Sequence, residues 1–258
     1  MNSEIHSKAL TEHHIGGYRF FPGIGAYSCG AISSPGFEIV YVTLQSPIPV
    51  AAGLARVAEF LTTEGRPQAA LCSVSLRSPR PYSFSGFAEF NTSYAAILKG
   101  WNVFVNGMNP IARTNVAPIV NPPAEPVLYS FAFTKPCPAN QAPTFVVAGA
   151  GELPEGVLGR EGIVAVGDTS PAGLNKKSRF VMELIENRLH GLGVDWPLVS
   201  TVNVYTAHSL DSILPEIILN RIGAAGMHGA CWHYSRPPIE EIEYEMDVRG
   251  TRTELRWD

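Results

Sequence analysis

Ile242-Glu243-Tyr244-Glu245-Met246-Asp247-Val248 is the stretch from which the chain is best read. Ile242, Tyr244, Met246 and Val248 are apolar and alternate with three acids, Glu243, Glu245 and Asp247. A period of two is the β-strand period, which sends successive side chains to opposite faces. One face of this strand is therefore hydrocarbon and the other is a row of carboxylates. Like charges at this spacing repel, and a strand facing plain solvent more often mixes signs. The acidic face thus predicts a strand beside a site or a subunit contact. Crowded carboxylates raise one another's pKa, which is one route to a general acid or base near neutral pH.

Outward from this strand, the composition is that of a globular protein. The chain has 258 residues, 45% of them hydrophobic and 16% charged, enough for one large core or two smaller ones. The net charge is −4, with no Lys/Arg cluster, so nucleic-acid binding has no electrostatic footprint. Met1–Leu10 shows neither a basic n-region nor an apolar h-region, and no run approaches a membrane span. A soluble cytoplasmic protein is expected. The four cysteines, Cys29, Cys72, Cys137 and Cys231, are widely and irregularly spaced, and the seven histidines show no HxH or HxxxH pattern. Neither a disulfide framework nor a metal site is expected. Two Gly-x-Gly turns are present, but neither is a GxGxxG opening a helix, and there is no Walker A motif.

The chain also reads as two similar halves. A segment with two prolines and no periodicity, 135–142, divides 1–134 from 143–258. Each half opens with an apolar run ending in Gly-x-Gly, Gly23-Ile24-Gly25 and Gly149-Ala150-Gly151. Each continues with an amphipathic helix, marked by Leu54, Val57, Phe60 and Leu61 in the first and by Phe180, Val181, Leu184, Ile185 and Leu189 in the second. A glycine suited to a helix C-terminus follows, Gly65 or Gly193, and then a strand, Cys72–Leu76 or Ser200–Val204. A second helix is predicted near Phe87–Leu98 and Ser212–Ile222, then Pro122-Pro123 or Pro237-Pro238, then a closing strand. The first half is longer, with an insertion placed near 78–110; its aromatic part, Pro79–Phe87, suits either a lid or a surface elaboration.

This order resembles the RidA/YjgF family of small imine deaminases, in two tandem copies. The resemblance implies an α+β, chorismate mutase-like fold in which each copy is a mixed β-sheet with two helices on one face. It implies a homotrimer with sites in the clefts between domains. It also implies cofactor-independent hydrolytic deamination of a small enamine or imine carboxylic acid, of the 2-aminoacrylate or 2-aminomuconate type. Arg113, in Ile111-Ala112-Arg113-Thr114, matches the arginine that grips the substrate carboxylate as a bidentate fork. Gly151 matches a glycine whose backbone N–H lies near that carboxylate, and Glu243 matches the glutamate that activates water. Each half departs from the pattern. Leu128 stands at the glutamate position of the first half and His228 at the arginine position of the second, with Cys231 one residue from the thiol position.

The candidate catalytic residues are thus Glu243, His228 and Cys231, and the candidate substrate-binding residues are Arg113, Gly151 and Glu245. Plainer roles compete: a surface or interface arginine, an edge-strand glutamate paired with Arg249 or Arg252, and a cysteine that is only a small packed residue. Arg113 and Glu243 lie in different halves and need not share a cleft. The partner expected is a small-molecule carboxylate, with no nucleic acid, no membrane, no cofactor and no metal. Two further functions remain open: a chorismatase-like enol-ether hydrolase and a non-catalytic small-carboxylate-binding protein.

Overall fold

The computed structural model describes residues 9–157 and 159–258; Met1–Lys8, most of the stretch that carries no leader pattern, lies outside the described residues. In chain order the strands and main helices are β1 (Thr11–His13), β2 (Tyr18–Phe21), β3 (Gly30–Ser33), β4 (Phe37–Pro49), α1 (Val50–Thr63), β5 (Leu71–Arg77), α2 (Phe84–Gly100), β6 (Ala112–Pro118), β7 (Val127–Pro136), β8 (Phe145–Gly151), α3 (Pro171–Leu192), β9 (Thr201–Thr206), β10 (Cys231–Arg236), β11 (Tyr244–Gly250) and β12 (Thr253–Trp257).

Local chemistry explains the helix limits. Ser170 and Ser83 cap α3 and α2, each side-chain oxygen accepting from the backbone N–H three residues on, Gly173 and Gly86. Pro171 opens α3, where its missing N–H costs nothing, and Gly193 ends it with φ 77°, a left-handed conformation suited to glycine. The second helix expected near Ser212–Ile222 is not a regular α-helix. Pro215 sits at its start, Leu214–Leu219 is π-helical, and the chain turns away at Gly223 with φ 54°.

The expectation of two tandem RidA-like domains, each with its own sheet, is corrected by the strand order. The described strands form one 12-stranded mixed sheet, β1-β2-β3-β8-β11-β9-β10-β6-β5-β7-β4-β12. Three pairings join the two parts of the chain: β3 with β8, β10 with β6, and β12 with β4 in parallel. The physical reason is the cost of free strand edges, whose unpaired N–H and C=O groups find partners across the chain. The segment read as a linker begins inside β7, which runs on to Pro136.

The sheet folds back so that its two ends meet. Tyr18, Phe20, Ala31 and Val146 from one end share a cluster with Ile39, Cys72 and Ala132 from the other. The outer faces carry the helices. Leu54, Val57 and Leu61 of α1 and Leu98 of α2 pack on Phe131 and Phe133. Val181, Ile185 and Leu189 of α3 pack on Tyr244, Met246 and Val248. The apolar face of β11 thus lies under α3, and its acidic face turns into the layer between the folded-over parts of the sheet. No helix among the described residues is long and apolar enough to cross a membrane.

β12 fastens this arrangement through Trp257, whose ring lies 5.0 Å from that of Phe60 and 5.7 Å from that of Phe131. Trp257→Ala removes a half-buried aromatic at the point where the chain's last strand joins β4. We expect it to lower the unfolding free energy by about 2 kcal/mol, measured by urea titration.

Candidate active site

A pocket opens where β6, β8 and β11 converge, and its polar floor is Arg113, Asn115 and Glu245. Arg113 and Asn115 alternate with Thr114 on β6, so both present their side chains on one face. Arg113 is buried within an aromatic enclosure, its guanidinium carbon 4.5 Å from the Tyr27 ring and 4.7 Å from that of Tyr94, with Phe87 and Phe90 each at 5.4 Å. Its Nη2 donates to Asn91 Oδ1 at 2.5 Å, while its Nη1 is buried with no hydrogen-bond partner. Asn115 is similar. Its Oδ1 accepts from Ser78 Oγ at 2.9 Å, and its buried Nδ2 has no partner. Burial without a partner costs each such group on the order of 1–3 kcal/mol. Two unsatisfied donors in one pocket point to an acceptor supplied by a ligand.

Glu245 lies at the opposite extreme from its neighbour Asp247, two residues along the same strand face. Asp247 receives three hydrogen bonds, from Thr114 Oγ1 at 2.7 Å, Asn203 Nδ2 at 2.7 Å and Tyr205 OH at 3.0 Å. Glu245 receives none from the described residues, and it forms no ion pair with Arg113 although both line the pocket. Burial pushes the Glu245 carboxyl well above the usual carboxylate range, and the charge of Asp247 adds to the rise; Arg188 and Arg113 pull against it. One strand face therefore carries a carboxyl group held by three donors and another whose burial favours its protonated form.

The backbone beside Glu245 is shaped for it. In β8 the register slips opposite Asp247, so that Ala148 and Gly149 together face one residue of β11, a β-bulge. Arg188 of α3 serves the bulge, its Nη1 donating to Ala148 O at 2.8 Å and Gly149 O at 3.0 Å. Its other side meets Glu155, with Nε to Oε1 at 2.9 Å. A Cβ at Gly149 would overlap Glu245 Oε1, so only glycine leaves the acid its place. A buried ion pair fixes the start of β11. Glu152 Oε1 accepts from Lys177 Nζ at 3.1 Å and from the Glu243 N–H at 2.6 Å, and Oε2 accepts from the Tyr244 N–H at 3.0 Å.

The six residues singled out from sequence fall in different places. Arg113, Gly151 and Glu245 share the pocket. Glu243 stands outside its walls, its carboxylate 2.9 Å from His208 Nε2 and 3.3 Å from Arg236 Nη1. His228 is exposed at the end of the turn Gly223–His228 and lines neither this pocket nor a second cleft beside β9 and β10, and Cys231 is exposed and opens on that second cleft. The segment Pro79–Phe87 reaches the pocket: Tyr82 bonds to Pro238 O and Glu240 N, and Phe87 is a wall. Sequence reasoning missed Asn115, Tyr27 and Arg188. Asn115 carried a signal, being two residues from Arg113 on a strand. Arg188 and Lys177 carried another, since both fall on the apolar stripe of α3 that includes Leu174, Val181 and Ile185. Among the described residues no group of three or more His, Cys, Asp and Glu side chains is gathered as for a metal ion.

Two outcomes follow from this geometry. Gly149→Ala is expected to displace the Glu245 carboxyl and lower kcat by about tenfold or more with the fold retained, measured by steady-state kinetics and circular dichroism. Because the folded pKa of Glu245 is raised, the native chain keeps a proton there that the unfolded chain loses above about pH 4.3. The stability this site contributes is complete below that pH and is lost as pH rises through the folded value. Glu245→Gln removes the titration. Urea unfolding at pH 5 and pH 8 should show a smaller loss of stability with pH in the variant; equal losses in the two proteins would refute the assignment.

Comparison with known proteins places this chain in a family. The family model described as "2-aminomuconate deaminase CnbZ" matches residues 10–255. The chain is 40% identical over 238 residues to the 2-amino-5-chloromuconate deaminase of Comamonas testosteroni, an alignment covering 91% of this chain and 94% of that protein. Among solved structures it is similar to a chorismatase, with TM-score 0.49, 11% identity, and coverage of 91% of this chain and 77% of that one. It is also similar to a cyanuric acid hydrolase, with TM-score 0.41, 9% identity, and coverage of 83% and 67%. The family match overturns the RidA/YjgF membership expected from element order, since order and spacing are shared more widely than identity. The chain belongs to the 2-aminomuconate deaminase CnbZ family and is a deaminase, an enzyme acting on a C–N bond.

Proposed function

We propose that the chain is a hydrolytic deaminase of a 2-aminomuconate-type enamine dicarboxylate, working without a cofactor, with Arg113, Asn115 and Glu245 as its central groups. The observation that carries this reading is the meeting of two partnerless donors, Arg113 Nη1 and Asn115 Nδ2, with a buried carboxyl group, Glu245, in one pocket. The donors suit a substrate carboxylate, which the planar guanidinium recognises as a fork. With Glu245 neutral, the charged groups on the pocket walls are the guanidinium groups of Arg113 and Arg188 and the carboxylate of Glu155, a balance that favours an anion.

The chemistry uses the neutral acid first. An enamine is a carbon nucleophile, and Glu245 donates its proton to carbon as the nitrogen lone pair forms the C=N bond. The resulting iminium is electrophilic at the carbon bearing nitrogen. The Glu245 carboxylate then accepts a proton from a water molecule as its oxygen bonds to that carbon. Collapse of the carbinolamine passes a proton to nitrogen, breaks the C–N bond and releases ammonia, leaving a 2-oxo acid. The sum is enamine plus water giving 2-oxo acid plus ammonia. A carboxyl group with a raised pKa suits both the donating and the accepting step. The family membership and the name of the Comamonas relative support the substrate class.

Ammonia release from freshly generated 2-aminomuconate tests the proposal. Glu245→Gln should lower kcat by about 10²-fold or more, the usual worth of a positioned acid–base group. Arg113→Lys should mainly raise KM, by about tenfold, because an ammonium cannot reproduce the fork. Unchanged kinetics in Glu245→Gln, or binding of the acid by the wild type without ammonia release, would refute it.

A further inference from the structure

The molecule holds a second cleft that shares no wall residue with the active pocket and has a volume of about 240 Å³, against about 90 Å³ for the first. Its walls come from β4, β5 and β7 on one side and from β9, β10 and β11 on the other, with β12 at the rim. Three arginines, Arg77, Arg249 and Arg256, line it, against the single acid Glu254.

Arg77 is the unusual member. It is only 8% exposed, yet it forms no ion pair with any described residue. Its guanidinium lies 4.0 Å above the Tyr129 ring and 5.6 Å from that of Tyr205, and its Nη1 donates to Leu76 O at 2.9 Å. A buried cation without a counter-charge is costly, and ring faces offset only part of that cost. Arg249 lies 4.0 Å above Tyr41, with its Nε and Nη2 on Glu254. Between these cations His233 stacks on Tyr205 at 4.7 Å and bonds to Asn203 Oδ1 through Nε2 at 3.1 Å. Burial lowers the His233 pKa, and the charges of Arg77 and Arg249 lower it further while Asp247 opposes them, so the imidazole adds a neutral flat wall.

We propose that this cleft is a binding site for a small organic dicarboxylate, with one carboxylate on Arg77 and the other on the Arg249–Arg256 side. Two separated guanidinium sources suit two carboxylates, and the flat rings of Tyr129, Tyr205 and His233 suit a conjugated chain between them. None of the residues named here is used in the deamination chemistry above, so the site stands or falls independently of that reading.

Cys231 is exposed and opens on the cleft, whereas Cys137 lies elsewhere and Cys29 and Cys72 are buried. The test is the rate of iodoacetamide alkylation at Cys231, read by peptide mass spectrometry with Cys137 as internal reference and cis,cis-muconate as probe. Muconate at about ten times its dissociation constant should slow alkylation of Cys231 about tenfold by simple occupancy and leave Cys137 unchanged. The protection should persist in Arg113→Met, whose active pocket is impaired. It should be lost in Arg249→Gln, which removes a partly exposed side chain, and in Arg77→Met, with melting curves confirming that each variant is folded. The neutral diamide of muconate should not protect. Absence of protection in the wild type, protection that survives in a folded Arg249→Gln or Arg77→Met, or loss of protection in Arg113→Met would each overturn the proposal.

Discussion

The burial of two carboxylic acids side by side on β11 is the constraint to which the rest of the molecule answers. Glu245 and Asp247 are both under 10% exposed and share one strand face. A low-dielectric layer does not hold two bare charges at that spacing, and the protein treats the two differently. Asp247 is surrounded by a hydroxyl from β6 and by an amide and a phenol from β9, so its charge is solvated by the fold. Glu245 has no such partners, and the cheapest way to bury it is with its proton on. The acid of the candidate pocket is thus a consequence of where donors were placed and where they were withheld.

The fold can be read as what makes this arrangement possible. An acidic strand face needs a second polar surface to meet, and the folded-back sheet supplies β6 with Thr114 against β11. The hydrocarbon face of the same strand needs a lid, and α3 supplies it. On its buried stripe α3 carries two cations among the hydrocarbons, Lys177 and Arg188. Lys177, through Glu152, ties down the two backbone N–H groups that begin β11, and Arg188 satisfies the carbonyls freed by the bulge at Gly149. These contacts set the placement of Glu245 without touching its carboxyl group.

Much of the local structure was legible in sequence. The helices around Leu54–Leu61 and Phe180–Leu189, the glycine that ends α3 and the alternation of β11 follow from periodicity and backbone stereochemistry, which act over a few residues. Of the site, Arg113, Gly151 and Glu245 were singled out and lie together. Glu243 is the catalytic candidate because it matches the water-activating glutamate of the family pattern, whereas the alternation by itself treats it and Glu245 alike. It sits just before β11 begins, where His208 and Arg236 reach it, so its carboxylate is occupied outside the pocket. His228 and Cys231 are candidates by their distance along the chain from a family pattern, and that distance carries neither of them into the pocket of Arg113 and Glu245.

The sequence by itself determined that a strand with one apolar and one acidic face runs through 244–248, and that an arginine-bearing strand lies near 113. Only the tertiary structure decided that these two strands face one another across a folded sheet, that β3, β10 and β12 pair across the midpoint of the chain, and that Glu245 rather than Glu243 is the acid that loses its water. The physical reason is range. Periodicity and capping report which way a side chain points from its own backbone, whereas protonation and hydrogen-bond satisfaction depend on groups many residues away that only folding brings within reach.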